Sequence, residues 1–206
     1  MGANSDRPLD SQDLDPDPLA LFARWFAEAR DGGAFEPEAM ALATATPAGA
    51  PSIRMVLNKG FDELGLVFFT NYASRKGLEL ELNPHAALLF HWPELGRQVR
   101  AEGAVARVSR AETERYAHGR SRGSQLSALA SPQSRLVESR EWLEGEVERL
   151  ASEHEAELPV KDEWGGYRLA PEAWEFWQHR RDRLHDRFRY LPAESGGSWL
   201  IERLGP

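Results

Sequence analysis

The chain has no cysteine among its 206 residues. That absence excludes disulfides, thiolate zinc sites and iron–sulfur clusters, so any catalysis must use other groups. No apolar run approaches the roughly 20 residues that cross a bilayer. The Asp-, Pro- and Ser-rich stretch Met1–Pro18 lacks the apolar core of a secretory signal, and Asp6 stands where a myristoylation signal would want Ser or Thr. Excess positive charge is missing too: 33 acidic against 25 basic residues give a net charge of -8, the wrong sign for a general nucleic-acid binder. Gly-x-Gly-x-x-Gly, P-loop, Gly-x-Ser-x-Gly and His-Glu-x-x-His signatures are absent, and the six histidines show no metal-ligand spacing. A Rossmann dehydrogenase and a metallohydrolase are thereby disfavoured, and a cytoplasmic protein without membrane or nucleic-acid partners is expected.

What is present fits one domain, with residues 1–18 expected as a flexible arm and residues 19–206 as a single folded unit. Asp17-Pro18 predicts a helix start, followed by Leu19, Leu21, Phe22, Trp25, Phe26 and Ala29 at helical spacing and by the stop Gly32-Gly33. Strands are predicted at Met40–Thr46, Ser52–Lys59, Gly65–Asn71, Ala86–Trp92 and Gln98–Val108, enough to curl into a barrel-like sheet. Helices follow at Arg110–Ala117 and Glu138–Glu155, then strands at Trp164–Leu169, Ala173–Gln178, Leu184–Leu191 and Trp199–Leu204, with Gly196-Gly197 as a hairpin turn. The class is β-rich α+β.

Four basic constellations stand out. Arg54 sits in a strand whose other face carries Ile53, Met55 and Leu57, with Lys59 at its end. Either that face is exposed or an anion lies opposite, because an unpaired buried charge is costly. Ser74 reads as an N-cap, yet Arg75 and Lys76 follow it in the first helical turn, where cations oppose the helix dipole. A bound phosphate would reverse that penalty, the alternative being two solvated cations. Tyr116, Arg120 and Ser124, four residues apart, would share one face of a continuous helix, although Gly119 and Gly123 interrupt it. Gln133-Ser134, beyond Pro132, reads as a capping turn or as neutral hydrogen-bonding groups. Last, Arg183, His185 and Arg187 would project to one side of an extended strand, as an anion site in which the flanking charge disfavours protonated His. Trp177 upstream is a core residue or a stacking partner for a flat ring.

In this order, the segments Arg54-Met55-Val56-Leu57-Asn58-Lys59, Phe69-Thr70-Asn71, Ser74-Arg75-Lys76, Arg97-Gln98-Val99, Gln133-Ser134, Trp164-Gly165-Gly166-Tyr167, Glu175-Phe176-Trp177-Gln178 and Arg183-Leu184-His185-Asp186-Arg187 closely resemble the pyridoxamine 5′-phosphate oxidase family. The resemblance runs from about Pro16 to Pro206. It implies an FMN-binding split β-barrel with peripheral helices, a homodimer with FMN at its interface, and a pyridoxal 5′-phosphate synthase of vitamin B6 salvage. By that likeness Arg54, Met55, Val56, Leu57, Phe69, Thr70, Arg75, Lys76, Gln98, Gln133, Ser134, Trp177 and Arg187 line the FMN site, with Arg75 and Lys76 on its phosphate. Lys59, Tyr116, Arg120 and Ser124 hold the substrate phosphate, and Arg183 and His185 contact the substrate ring. The implied reaction oxidises pyridoxamine or pyridoxine 5′-phosphate with dioxygen, giving hydrogen peroxide. Asn58, the stretch His179-Arg180-Arg181-Asp182 and Gly119-Arg120-Ser121 depart from the family pattern. The rival readings are a flavin oxidase of phenazine biosynthesis, which lacks the full substrate-phosphate set, and a non-catalytic flavin-binding split-barrel module.

Overall fold

The computed structural model describes residues 8–194 and 196–206. Five helices and nine strands alternate along these residues: α1 (Pro18–Asp31), β1 (Ala39–Ala45), β2 (Pro51–Leu57), β3 (Gly60–Asp62), β4 (Gly65–Asn71), α2 (Arg75–Leu82), β5 (His85–Trp92), β6 (Arg97–Arg107), α3 (Arg110–His118), α4 (Arg122–Ala130), α5 (Arg140–Glu153), β7 (Trp164–Gln178), β8 (Asp186–Pro192) and β9 (Trp199–Leu204). The first helix begins as its sequence predicts. Asp17 caps it by accepting from Leu19 N at 2.9 Å, Pro18 occupies the first turn, and Gly32 ends it.

All strand pairs are antiparallel, in the order β2-β1-β5-β6-β7-β4-β3. The centre is β7, where a single 15-residue strand replaces the two separate ones predicted. One of its edges pairs with β6 along most of its length. Its other edge is shared, with β4 on Trp164–Leu169 and β8 on Trp174–Gln178. Pro171, which lies between the two predicted strands, is absorbed by a register shift between Glu102 and Gly103 on β6. Only glycine fits there, because a Cβ on Gly103 would lie 2.0 Å from Ala170 O.

The core is aromatic. Phe22 of α1 is fully buried, with ring centroids of Phe61, Phe90 and Trp174 at 5.0, 4.9 and 5.4 Å. Burying each such ring contributes about 2–3 kcal/mol. A smaller apolar cluster joins α4 to α5 through Leu126, Leu129 and Leu150. Of the segment expected to be a flexible arm, residues 1–7 lie outside the described residues. Further on, Leu9 is buried in the main core and its N–H donates to Asp186 Oδ2 at 3.1 Å. No helix among the described residues is long and apolar enough to cross a membrane.

Candidate active site

The sequence-predicted site residues fall into two groups. The first surrounds a cleft of about 440 Å³ between β2, β4, α2, α3 and α4. Met55, Val56, Leu57, Lys59, Phe69, Thr70, Lys76, Tyr116, Arg120 and Gln133, all predicted, line it. Asn71, Ser127, Ala128, Ser131 and Trp164 line it too and were not predicted as site residues. Trp164 completes a wall of parallel rings: Phe69 and Tyr116 stack with centroids 3.8 Å apart, and Tyr116 and Trp164 lie within 5° of parallel. The Arg120 guanidinium sits 5.1 Å from the Trp164 ring centroid. Burial raises the Tyr116 hydroxyl above the usual phenol range, with Arg120 opposing, so it stays a donor.

At the floor of the cleft Lys76 is 8% exposed. Its Nζ donates to Thr70 Oγ1 at 3.1 Å, Ser74 Oγ at 3.3 Å and Gln133 Oε1 at 2.9 Å. All three partners are neutral. Burial, with Arg54 adding to it, lowers its pKa to about 8. Ser74 is indeed the N-cap of α2, accepting from Gly77 N. A buried ammonium held only by neutral oxygens, beside a helix N-terminus and a wall of flat rings, suits the phosphate and ring system of a flavin mononucleotide.

Arg54 and Arg75 meet just outside this lining, on a carboxylate that sequence reasoning missed. Glu79, 5% exposed, accepts from Thr44 Oγ1 and Ser52 Oγ at 2.5 Å and from Arg75 Nε at 2.9 Å, and Arg54 stands 3.4 Å away. The anion opposite Arg54 is therefore supplied by the chain itself. No local signal marks Glu79, which lies in an ordinary Glu-Leu-Glu-Leu helical run.

The expected one-face arrangement of Tyr116, Arg120 and Ser124 requires correction. Helix α3 ends at His118 and α4 starts at Arg122, capped by Ser121. The break turns Ser124 toward Ser121, at 2.9 Å, and leaves it out of the cleft lining, where Ser127 and Ser131 stand instead. Ser134, in a left-handed conformation with φ 68°, is exposed and also outside the lining. Asn58 is buried; with its amide nitrogen toward Gly60 O and Val67 O, at 2.8 and 3.3 Å, it pins the turn that presents Lys59.

The second group lies at the far end of β7. Gln98, Trp177 and Arg187 are direct cross-strand partners on β6, β7 and β8, so their side chains form a row. The extended Arg183–Arg187 strand predicted from sequence is corrected here. Strand β8 starts only at Asp186, and Arg183 belongs to a 3-10 turn, Arg181–Arg183, in which Asp182 and Arg183 are left-handed at φ 54° and 61°. Alternation therefore does not relate Arg183 to Arg187. His185 reaches the row another way, with its ring 4.6 Å from Trp177 and 5.2 Å from His179. Arg180 N–H donates to its Nδ1 at 3.1 Å, which places the proton of neutral His185 on Nε2. Burial, then His179 and Arg183, lower the His185 pKa. Arg187 is tied by Nε to Glu175 at 2.9 Å, and the same carboxylate takes Arg100 at 2.7 Å.

Comparison with known proteins bears on the family and the fold. A family model described as Pyridoxamine 5′-phosphate oxidase matches residues 28–154. A second, described as the Pyridoxine 5′-phosphate oxidase C-terminal dimerisation region, matches residues 164–206. The chain is 54% identical to the pyridoxine/pyridoxamine 5′-phosphate oxidase of Rubrobacter xylanophilus, across 93% of this chain and 88% of that one. It is 52% identical to that of Paraburkholderia phymatum, across 96% and 93%. Among solved structures, PhzG from Burkholderia lata 383, bound to tetrahydrophenazine-1-carboxylic acid, superposes with a TM-score of 0.91 at 34% identity, covering 98% and 100%. A pyridoxamine 5′-phosphate oxidase-related, FMN-binding protein from Nostoc punctiforme shares the fold, with a TM-score of 0.70 at 20% identity over 94% and 98%. The β-rich α+β split barrel expected from sequence is the fold observed. Matched by family models over residues 28–154 and 164–206 and by relatives along nearly all of its length, the chain is an enzyme of the pyridoxine/pyridoxamine 5′-phosphate oxidase family.

Proposed function

We propose that this enzyme oxidises pyridoxamine 5′-phosphate and pyridoxine 5′-phosphate to pyridoxal 5′-phosphate in the cytoplasm, using FMN and reducing dioxygen to hydrogen peroxide. The observation that carries the reading is the cleft, whose lining brings the buried Lys76 together with Lys59 and Arg120 around stacked rings. Three cations in one lining suit two phosphates, one on the cofactor and one on the substrate.

In this reading Arg54, Arg75 and Lys76 hold the FMN phosphate, with Thr70, Gln133 and Ser134 beside it, and Met55, Val56, Leu57 and Phe69 bound the flavin. Bound there, FMN supplies the two-electron acceptor that the polypeptide lacks. Lys59, Tyr116 and Arg120 hold the substrate phosphate, with Ser124 joining them only if its hydroxyl turns from Ser121. Arg183 and His185 orient the pyridine ring, so that remote phosphate binding and ring contacts together fix C4′ against the acceptor. His185, kept neutral with its proton on Nε2, serves as a hydrogen-bond donor there. The amine substrate leaves as an imine that water hydrolyses to aldehyde and ammonia.

Gln98, Trp177, Arg183, His185 and Arg187 stand at the opposite end of β7 from Trp164, thirteen residues away, or roughly 40 Å of strand. A homodimer in which the second copy brings this row to the first copy's cleft reconciles the two groups and puts FMN at the interface. The exposed strip Ile53, Met55 and Leu57, of which Met55 and Leu57 line the cleft, is apolar surface for such a contact.

The test is direct. The purified protein should be yellow, and with pyridoxine 5′-phosphate in air it should form aldehyde and peroxide. Flavin colour with turnover of tetrahydrophenazine-1-carboxylic acid alone would favour the phenazine reading. Colour with neither reaction would leave a non-catalytic flavin module, and no flavin would remove all three.

A further inference from the structure

Lys76 in the cleft lining and Arg54 and Arg75 just outside it gather three positive charges, and Glu79 is the carboxylate set among them. Every element around Glu79 donates to it: Thr44 from β1, Ser52 and Arg54 from β2, and Arg75 from its own helix. Burial by itself would push this carboxyl up, but hydrogen bonds from Ser52, Thr44 and Arg75 outweigh it and hold the pKa at about 2. Glu79 is therefore an anion at any physiological pH. Its two arginines differ: the Arg54 side chain is 20% exposed and takes part in the buried network, whereas that of Arg75 is 63% exposed and reaches Glu79 from the surface.

We infer that Glu79 is the built-in counter-anion of the flavin phosphate cradle, keeping Arg54 and Arg75 in place in the empty protein and limiting how tightly a phosphate dianion is held. The inference rests on the reading of Arg54, Arg75 and Lys76 as the cofactor-phosphate site. Without an anion, Arg54 would be a poorly compensated charge against the sheet, a costly arrangement in the cofactor-free fold. With Glu79 present, three cations and one carboxylate leave a charge of +2, which a phosphate dianion returns to zero. The same carboxylate repels that dianion across a partly desolvated gap, where like charges are screened less than in water. Glu79 is a positioning residue, exchanging cofactor affinity for stability of the empty site.

The experiment compares FMN with riboflavin, which lacks the phosphate, in the wild type, Glu79→Gln and Lys76→Met, using flavin fluorescence titration of the full chain. Glu79→Gln keeps the shape and loses the charge. It should bind FMN about tenfold more tightly, the scale of one nearby charge in a partly screened site, leave riboflavin unchanged, and lower the melting temperature of the flavin-free protein. Lys76→Met should weaken FMN and spare riboflavin. If Lys76→Met leaves FMN binding intact, the phosphate-site reading falls and this inference with it. If Lys76→Met weakens FMN but Glu79→Gln leaves it unchanged, weakens it, or shifts FMN and riboflavin alike, the site stands and the role given to Glu79 is overturned. Should flavin-free Glu79→Gln not hold its fold, FMN release from the flavin-loaded variant decides: slower release than wild type supports the inference, and equal or faster release refutes it.

Discussion

The two ends of β7 solve different problems with similar residues. At the Trp164 end, positive charge outnumbers its counter-anion: Lys76 is buried on three neutral oxygens, Arg120 lies over an indole, and Glu79 alone answers Arg54 and Arg75. At the Trp177 end, positive charge is compensated and used for aim: Glu175 ties Arg187 and Arg100, and Asp186 ties Arg203 at 2.7 Å. The first arrangement attracts an anion; the second fixes directions. A site for a phosphorylated aromatic ring needs both, and one chain holds them apart, which is the physical argument for completing the site with a second copy.

The largest effect that can break this comparison lies at the aiming end. Arg183→Ala should lower kcat/KM about a hundredfold or more, the scale of a misplaced reacting group, while FMN affinity stays within about threefold, far below the 1.4 kcal/mol that a tenfold change represents. Arg183→Gly, which relaxes the backbone at φ 61°, should do no better. Steady-state kinetics beside a flavin titration checks this. Equal loss of turnover and of FMN would merge the two ends into one binding site.

The attracting end should show the reverse pattern. Lys76→Met should raise the FMN dissociation constant about 30-fold, from the loss of a charge-assisted hydrogen bond of about 2 kcal/mol, with kcat of the flavin-saturated enzyme nearly unchanged. A drop in kcat at saturating FMN would show that Lys76 acts on the reacting atoms.

How much of this was legible beforehand differs between the ends for a physical reason. Capping oxygens announce themselves locally, so Asp17 and Ser74 marked α1 and α2, and Ser74-Arg75-Lys76 led to the buried lysine of the cleft. Alternation marked β6. Tertiary features left no such trace. The one strand β7 read as two, Trp164–Leu169 and Ala173–Gln178, because the register shift that accommodates Pro171 lies about seventy residues away, on β6. The tail looked extended because alternating Arg, His and Arg fit a strand, while the left-handed pair Asp182 and Arg183 is imposed by how β7 turns into β8. Glu79 reads as a surface glutamate until Thr44, Ser52 and Arg54 close over it.

Smaller effects sharpen the division within the cleft. Arg120→Ala should raise KM for pyridoxine 5′-phosphate about tenfold, as for one lost charged contact near 1.4 kcal/mol, and should leave FMN affinity unchanged. Ser124→Ala should change neither, since its hydroxyl faces Ser121 rather than the cleft. A tenfold KM effect at Ser124 would mean that the helix break between α3 and α4 closes when substrate arrives.

The smallest effect concerns protons. Because burial holds Lys76 down at about 8 in the empty site, it is charged below that pH and ready for phosphate; above it, an entering phosphate must bring a proton back. FMN affinity should thus be nearly level between about pH 7, where its phosphate is already mostly a dianion, and pH 7.5, and fall beyond, by about threefold between pH 7.5 and 8.5 for a single group. The stability of the flavin-free protein should run the other way. A lysine whose folded pKa is below its unfolded value of 10.5 destabilises the fold while charged, and that penalty is relieved as pH rises from about 8 toward 10.5. Opposite slopes in the two measurements, both flattened in Lys76→Met, would identify the buried ammonium as the group the phosphate recognises. Parallel slopes would place the titrating group elsewhere and weaken the contrast between an attracting and an aiming end.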